Sequence, residues 1–228
     1  MNDELYGNVT PCYPDYWRRR YLYPACQSGL SIALAGIGDW ERYSRYYWAS
    51  VGYQAWDCMY LHHKTTGRSR IYDIDERAVQ RLREAGVRAD LVGLCLTPLP
   101  ERYDLVFAAD VIEHVSRHMS FVRNIAESLS PGGRMVLTTP NADWCRHALS
   151  HGHECPSHWC SFAPVHFKNI SKELGLIVRD LVTFKSEAPF TGHRRVRATI
   201  SRGIHLAAAA FVAPTARWNS ICFVAQRA

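Results

Sequence analysis

The chain has 228 residues, 47% hydrophobic and 21% charged. Those values suit one α/β domain with some elaboration, or at most two small ones, with apolar residues enough for a substantial core. The formal net charge of +6 is spread along the chain, so it permits an anionic substrate or membrane surface without demanding one. The opening MNDELYGNVT carries no apolar run of a secretory signal. The most apolar stretch, residues 204–213, falls well short of the roughly 20 residues that span a bilayer.

Eight cysteines, Cys12, Cys26, Cys58, Cys95, Cys145, Cys155, Cys160 and Cys222, form no compact framework. Reduced thiols in a cytoplasmic protein are therefore expected. Two basic spots, Arg18 to Arg20 and residues 193–202, read as solvated faces.

In chain order, residues 1–29 are rich in Tyr, Pro and Arg and read as a lead-in. Residues 29–35 (GLSIALA) suit a buried strand. Residues 39–50 read as a helix and residues 70–73 as a second strand. Residues 76–86 predict an amphipathic helix, with Ala78, Val79, Leu82 and Ala85 on one side and Gly86 as a stop. Residues 87–92 suit a third strand and Tyr103–Ala109 (YDLVFAA) a fourth. A helix over residues 120–129, a turn at Pro131-Gly132-Gly133 and a strand over residues 134–139 follow. A helix at Pro164–Leu174, a strand at 176–183, a basic then apolar helical stretch at 193–212 and a strand at 220–225 complete the order. Strands alternating with helices predict an α/β fold with a mostly parallel sheet and helices on both faces.

The stretch YDLVFAADVIEHV, then a helix, then LSPGGRMVLTTPN is the most specific signal. This order of strand, acidic turn, helix, Pro-Gly-Gly turn and strand resembles class I S-adenosylmethionine-dependent methyltransferases. The resemblance implies a Rossmann-like, mostly parallel seven-stranded sheet closed by an antiparallel pair. It implies a lead-in at 1–29 and one methyltransferase-like domain over 30–228. Ligands of open α/β sheets lie beyond the carboxyl ends of the strands at the topological switch point. Asp110 would stand at such an end, holding the ammonium of the methionine part of S-adenosylmethionine or orienting the acceptor. Glu113 and His114 follow as candidate catalytic residues, with His114 a candidate base because a histidine titrates near neutrality. The alternative role for both is to cap and orient the loop.

The family's glycine loop is met here only by Leu34-Ala35-Gly36-Ile37-Gly38-Asp39-Trp40. Gly36 and Gly38 match, whereas Leu34 stands for the expected acid and Trp40 for a third glycine. A rival register reads residues 50–54 as this loop. The resemblance implies a ribose-binding acid, for which Asp73, directly before the amphipathic helix, is the candidate and Asp57 the alternative. Choosing Asp73 makes residues 52–67 an insertion. Where the family places an adenine-binding acid, this chain has Leu94-Cys95-Leu96.

Between Cys145 and His166 lie Cys145, His147, His151, His153, Glu154, Cys155, His158, Cys160 and His166. Such residues are zinc ligands, but they form no paired CxxC units. Residues 142–166 therefore read as an acceptor-side loop, and no metal is assigned.

The function implied is methyl transfer to a small-molecule acceptor. The alternative is a non-catalytic protein of the same fold with an impaired cofactor site, acting by binding a partner or ligand. No nucleic-acid partner is indicated. Residues 193–213, basic then apolar, are a candidate contact with a membrane surface. The acceptor atom and the oligomeric state are not legible in the sequence.

Overall fold

The strand-forming runs assemble into one seven-stranded sheet in the computed structural model, which describes residues 17–36, 53–66, 68–143, 158–184 and 220–227. The helical elements are a π-helical turn at Arg18–Leu22, α1 (Tyr23–Gln27), α2 (Tyr53–Thr65), α3 (Glu76–Glu84), α4 (His118–Glu127) and α5 (Pro164–Leu174). The strands are β1 (Ile32–Ala35), β2 (Ser69–Asp73), β3 (Ala89–Leu91), β4 (Tyr103–Ala109), β5 (Leu129–Pro140), β6 (Leu176–Phe184) and β7 (Ser220–Arg227).

The spatial order is β3-β2-β1-β4-β5-β7-β6. Strands β3, β2, β1, β4 and β5 run parallel, while β7 pairs antiparallel with both β5 and β6. The chain leaves β1 toward β2 and β3, then returns to add β4 on the other side. The switch point therefore lies between β1 and β4.

Strand residues alternate between two buried clusters. One takes Ile32, Leu34, Leu105 and Phe107 with Leu22, Leu61 and the α3 stripe Ala78, Val79 and Leu82. The other takes Ala33, Ala35, Val106 and Ala108 with Phe121 and Ile125 of α4 and Phe167 and Ile170 of α5. This is the two-residue period of a strand separating its side chains. Of the stripe read on residues 76–86, Ala85 is partly buried against the first cluster and the other three are fully buried. Asp75 caps α3, its carboxylate accepting the N–H groups of Arg77 and Ala78 at 2.9 and 3.4 Å.

Strand β5 begins earlier than the Pro-Gly-Gly turn suggests. Tyr103 pairs with Leu129 but Leu105 pairs with Arg134, so the turn is a bulge inside the strand. A Cβ on Gly133 would lie 2.8 Å from the carbonyls of Ser130 and Tyr103, so any other residue there would force the backbone to shift.

The stretch read as an insertion lies in the β1–β2 crossover. It carries α2, whose Cys58 and Leu61 are fully buried in the first cluster. The mixed composition of α2 hides its apolar face from a periodicity reading. The lead-in also joins the core: Trp17, Leu22, Ala25 and Cys26 are buried with β1 and β4. Arg18 is 1% exposed, its guanidinium 4.3 Å from the Trp17 ring centre, so it belongs to no solvated face, unlike exposed Arg19 and Arg20. The helices read at 39–50 and 193–212 lie outside the described residues. Among those described, no helix is long and apolar enough to cross a membrane.

Candidate functional site

Three parallel strands, β2, β1 and β4, end side by side, and each ends on a residue singled out in the sequence. Gly36 directly follows β1 at φ +84°, and its N–H donates to the Tyr72 carbonyl of β2 at 2.8 Å. A Cβ on Gly36 would stand 2.3 Å from Cγ2 of Val111. A glycine here thus lets the loops after β1 and β4 approach one another. Since β1 ends at Ala35, the turn after it begins at Gly36, whereas Tyr53 and Gln54 of the rival register belong to α2. Gly38 and Trp40 lie outside the described residues.

Asp73 is the last residue of β2, half-buried, with its carboxylate accepting the Asp75 N–H at 2.8 Å. Asp57 lies within α2, not at a strand end. Beside Asp73 the chain exposes apolar side chains: Ile74 is 74% and Leu96 77% exposed. Both border Gly93, with Ile74 Cγ2 and Leu96 Cδ1 each 3.7 Å from where a Cβ on that glycine would stand. The turn carrying Leu94 and Leu96 is anchored by Asn124, whose amide donates to the Leu94 carbonyl at 2.6 Å.

Asp110 follows β4 in the left-handed region, at φ +53°, where Asp is among the few tolerated side chains. Its N–H donates to the Thr138 carbonyl at 3.0 Å, and the Thr138 hydroxyl donates to its carboxylate at 3.1 Å. Burial holds this carboxyl above the usual carboxylate range, against the opposing pull of the Thr138 hydroxyl and of the charges on Arg18 and His114. Arg18, a lead-in residue, therefore acts electrostatically at the β4 end. No local sequence pattern marks it, because it reaches the site through tertiary packing.

Glu113 and His114 share a 3₁₀ turn, Ile112–His114. They point apart in environment: Glu113 is 1% exposed and His114 is exposed. The Thr139 hydroxyl donates to the Glu113 carboxylate at 2.9 Å, and the Glu113 carbonyl accepts the Trp159 N–H at 2.7 Å. The latter bond brings His158 alongside, its ring meeting that of His114 edge-on at 4.7 Å. One ligand-type atom each from Glu113, His114 and His158 falls within 4.8 Å of the others. Burial and the Glu113 charge push the nearby Cys160 thiol up. His166 instead serves the fold, with Nδ1 accepting the Ala163 N–H at 3.0 Å at the start of α5. The other Cys and His residues of the 145–166 group, Cys145 to Cys155, lie outside the described residues.

Comparison with known proteins bears on the family and the fold. A family model described as a methyltransferase domain matches residues 35–181. A crystal structure of an S-adenosylmethionine-dependent methyltransferase from Mesorhizobium loti is 16% identical, covers 90% of this chain and 97% of its own, and superposes with a TM-score of 0.58. One from Archaeoglobus fulgidus is 17% identical, with coverage of 92% and 91% and a TM-score of 0.57. The O-methyltransferase of a Brevibacillus brevis polyketide multienzyme, solved with S-adenosyl-L-homocysteine, is 13% identical, with coverage of 87% and 67% and a TM-score of 0.52. A ubiquinone biosynthesis O-methyltransferase of Bradyrhizobium sp. (strain ORS 278) is 44% identical over 50 residues, a match spanning 22% of this chain and only 20% of that relative. With its family model, its strand order and its acidic strand ends, the chain belongs to the class I S-adenosylmethionine-dependent methyltransferases.

Proposed function

We propose that this chain catalyses methyl transfer from S-adenosylmethionine to a hydroxyl of a small-molecule acceptor. The observation that carries the reading is the alignment of Gly36, Asp73 and Asp110 at the carboxyl ends of three adjacent parallel strands. The donor set fits the cofactor in chemical kind. Asp73 offers a half-buried carboxylate to a pair of ribose hydroxyls, and Ile74 and Leu96 offer exposed apolar surface to a purine face. Asp110 offers a shielded carboxylate to an ammonium, with Arg18 near enough to act on it. We read the two buried clusters as the two covered faces of the sheet, and residues 30–228 as one unit that the lead-in completes.

S-adenosylmethionine supplies a methyl group activated on a sulfonium, so the protein's task is alignment and proton removal. The C–S bond breaks with its electron pair left on sulfur, the new bond forms to the acceptor oxygen, and the acceptor's proton departs. His114 is exposed beside Asp110 and stands as the proton acceptor, while buried Glu113 orients the turn. The name of the curated relatives, O-methyltransferase, supports oxygen as the atom methylated.

Calorimetry with S-adenosylmethionine and S-adenosylhomocysteine tests the reading. Saturable binding of both is expected, with product binding retained in His114→Gln. Absence of binding by either at millimolar concentration would favour the non-catalytic alternative.

A further inference from the structure

We propose that Glu113, His114 and His158 form a divalent-metal site of the zinc class at the acceptor end of the fold. Two imidazoles and one carboxylate are a set that such ions favour, with three protein ligands leaving one position open. The ligand atoms already lie within 4.8 Å of one another. Metal–ligand distances of about 2.0–2.1 Å imply an edge of about 3.3 Å in a tetrahedral site, so a modest closure completes it. His114 is exposed and His158 half-buried, and rotation of those rings supplies that closure.

The frame beneath the set is built from three separate segments. Glu113 is fixed by the Thr139 hydroxyl of β5 at 2.9 Å. His158 is held in place by the backbone bond from Trp159 to the Glu113 carbonyl at 2.7 Å. The segment that follows is pinned to the end of β5, the Ala142 N–H donating to the Phe162 carbonyl at 2.7 Å. Hydrogen bonds of this kind behind the ligands are what orient them in metal sites. The two rings open to solvent, which provides an entry path.

The site deepens the acceptor side of the proposed reaction and rests on that reading for its purpose, not for its ligands. With an ion bound, His114 would be a ligand in place of the proton acceptor, and the ion would let an acceptor hydroxyl at the open position release its proton to solvent more readily. The methyl transfer then balances as before.

The full-length protein, stripped by chelator and dialysed, is loaded with Zn²⁺ or Co²⁺ alone and analysed for metal content and visible absorption. Close to one equivalent is expected, with cobalt bands lacking thiolate-to-metal charge transfer. His114→Ala and His158→Ala, both at solvent-accessible positions, should bind at least about tenfold more weakly, since even outer-shell changes cost about 10- to 100-fold in metal affinity. A Cys145→Ser/Cys155→Ser variant should keep the equivalent. Less than about a fifth of an equivalent in the wild type, against the near-unit occupancy of a structural-strength site, overturns the proposal. So does undiminished binding in the double histidine variant. Calorimetry with S-adenosylhomocysteine on the same stripped sample separates the two readings, because cofactor binding persists if only the metal site fails.

Discussion

Gly36 and Val111 touch at the switch point of the sheet: a Cβ on Gly36 would lie 2.3 Å from Val111 Cγ2. The glycine also holds φ at +84°, a conformation that costs other residues about 1–2 kcal/mol. Gly36→Ala is therefore expected to destabilise by about 2–5 kcal/mol, combining this backbone cost with overpacking of about 1–3 kcal/mol. Adding Val111→Ala should recover the packing part alone. Urea unfolding of the four proteins in the cycle checks it, and purely additive effects would refute the contact.

In the second buried cluster, the hydroxyls of Tyr72 and Tyr103 lie 2.7 Å apart. Burial, then the bond to Tyr72, holds the Tyr103 hydroxyl far above its ordinary value of 10.0. A group whose folded pKa is raised stabilises fully below its unfolded pKa and loses that contribution as pH rises through the folded value. Tyr103 should thus make unfolding easier with rising pH above about 10. Tyr103→Phe should cost about 1 kcal/mol at neutral pH and flatten the alkaline arm of the stability profile. An unchanged alkaline arm in the variant counts against the assignment.

The two candidate ribose acids differ in where the fold puts them, Asp73 at the end of β2 and Asp57 within α2. Asp73→Asn keeps an acceptor for the Asp75 N–H but removes the charge. Hydrogen bonds to charged groups contribute about 1.5–3 kcal/mol, so S-adenosylhomocysteine should bind about 10- to 150-fold more weakly. Asp57→Asn should leave affinity unchanged. Calorimetry on both variants decides, and the reverse ranking would transfer the role to Asp57.

The Thr139 hydroxyl serves the buried Glu113 carboxylate at 2.9 Å. Thr139→Val preserves shape and strand preference but deletes that donor. The cost should be about 1.5–3 kcal/mol, the value of a bond to a charged group, whereas Thr139→Ser should lose little beyond a methyl group. Denaturant unfolding of both separates the hydrogen bond from packing. Equal losses in Val and Ser would assign the effect to packing.

Much of the fold was legible because its signals are local. Tyr103–Ala109 and Pro164–Leu174 have the bounds read from the chain, the first a short apolar run between polar residues, the second opened by a proline where a helix has no use for the N–H. The apolar period of α3 and its capping Asp75 lie within a dozen residues. The positions of Asp73 and Asp110 at strand ends were legible because Asp73 closes one such run and Asp110 follows another.

The long-range partnerships were not legible. Arg18 looks like one of three exposed arginines, and only the packing of Trp17 and Leu22 against β1 and β4 carries it inside. The helix at 53–65 is not legible in the chain because it has no clean apolar stripe, yet Cys58 and Leu61 bury against neighbours that the chain supplies elsewhere. Glu113 meets Thr139 because β4 and β5 pair in register, Ala109 beside Thr138. His158 meets His114 because one backbone bond spans the loop between them. Residue order and apolar period set the strands, the helices and the acidic strand ends. Pairing register and burial, which depend on residues far apart in the chain, brought Arg18, Thr139 and His158 to the end of β4.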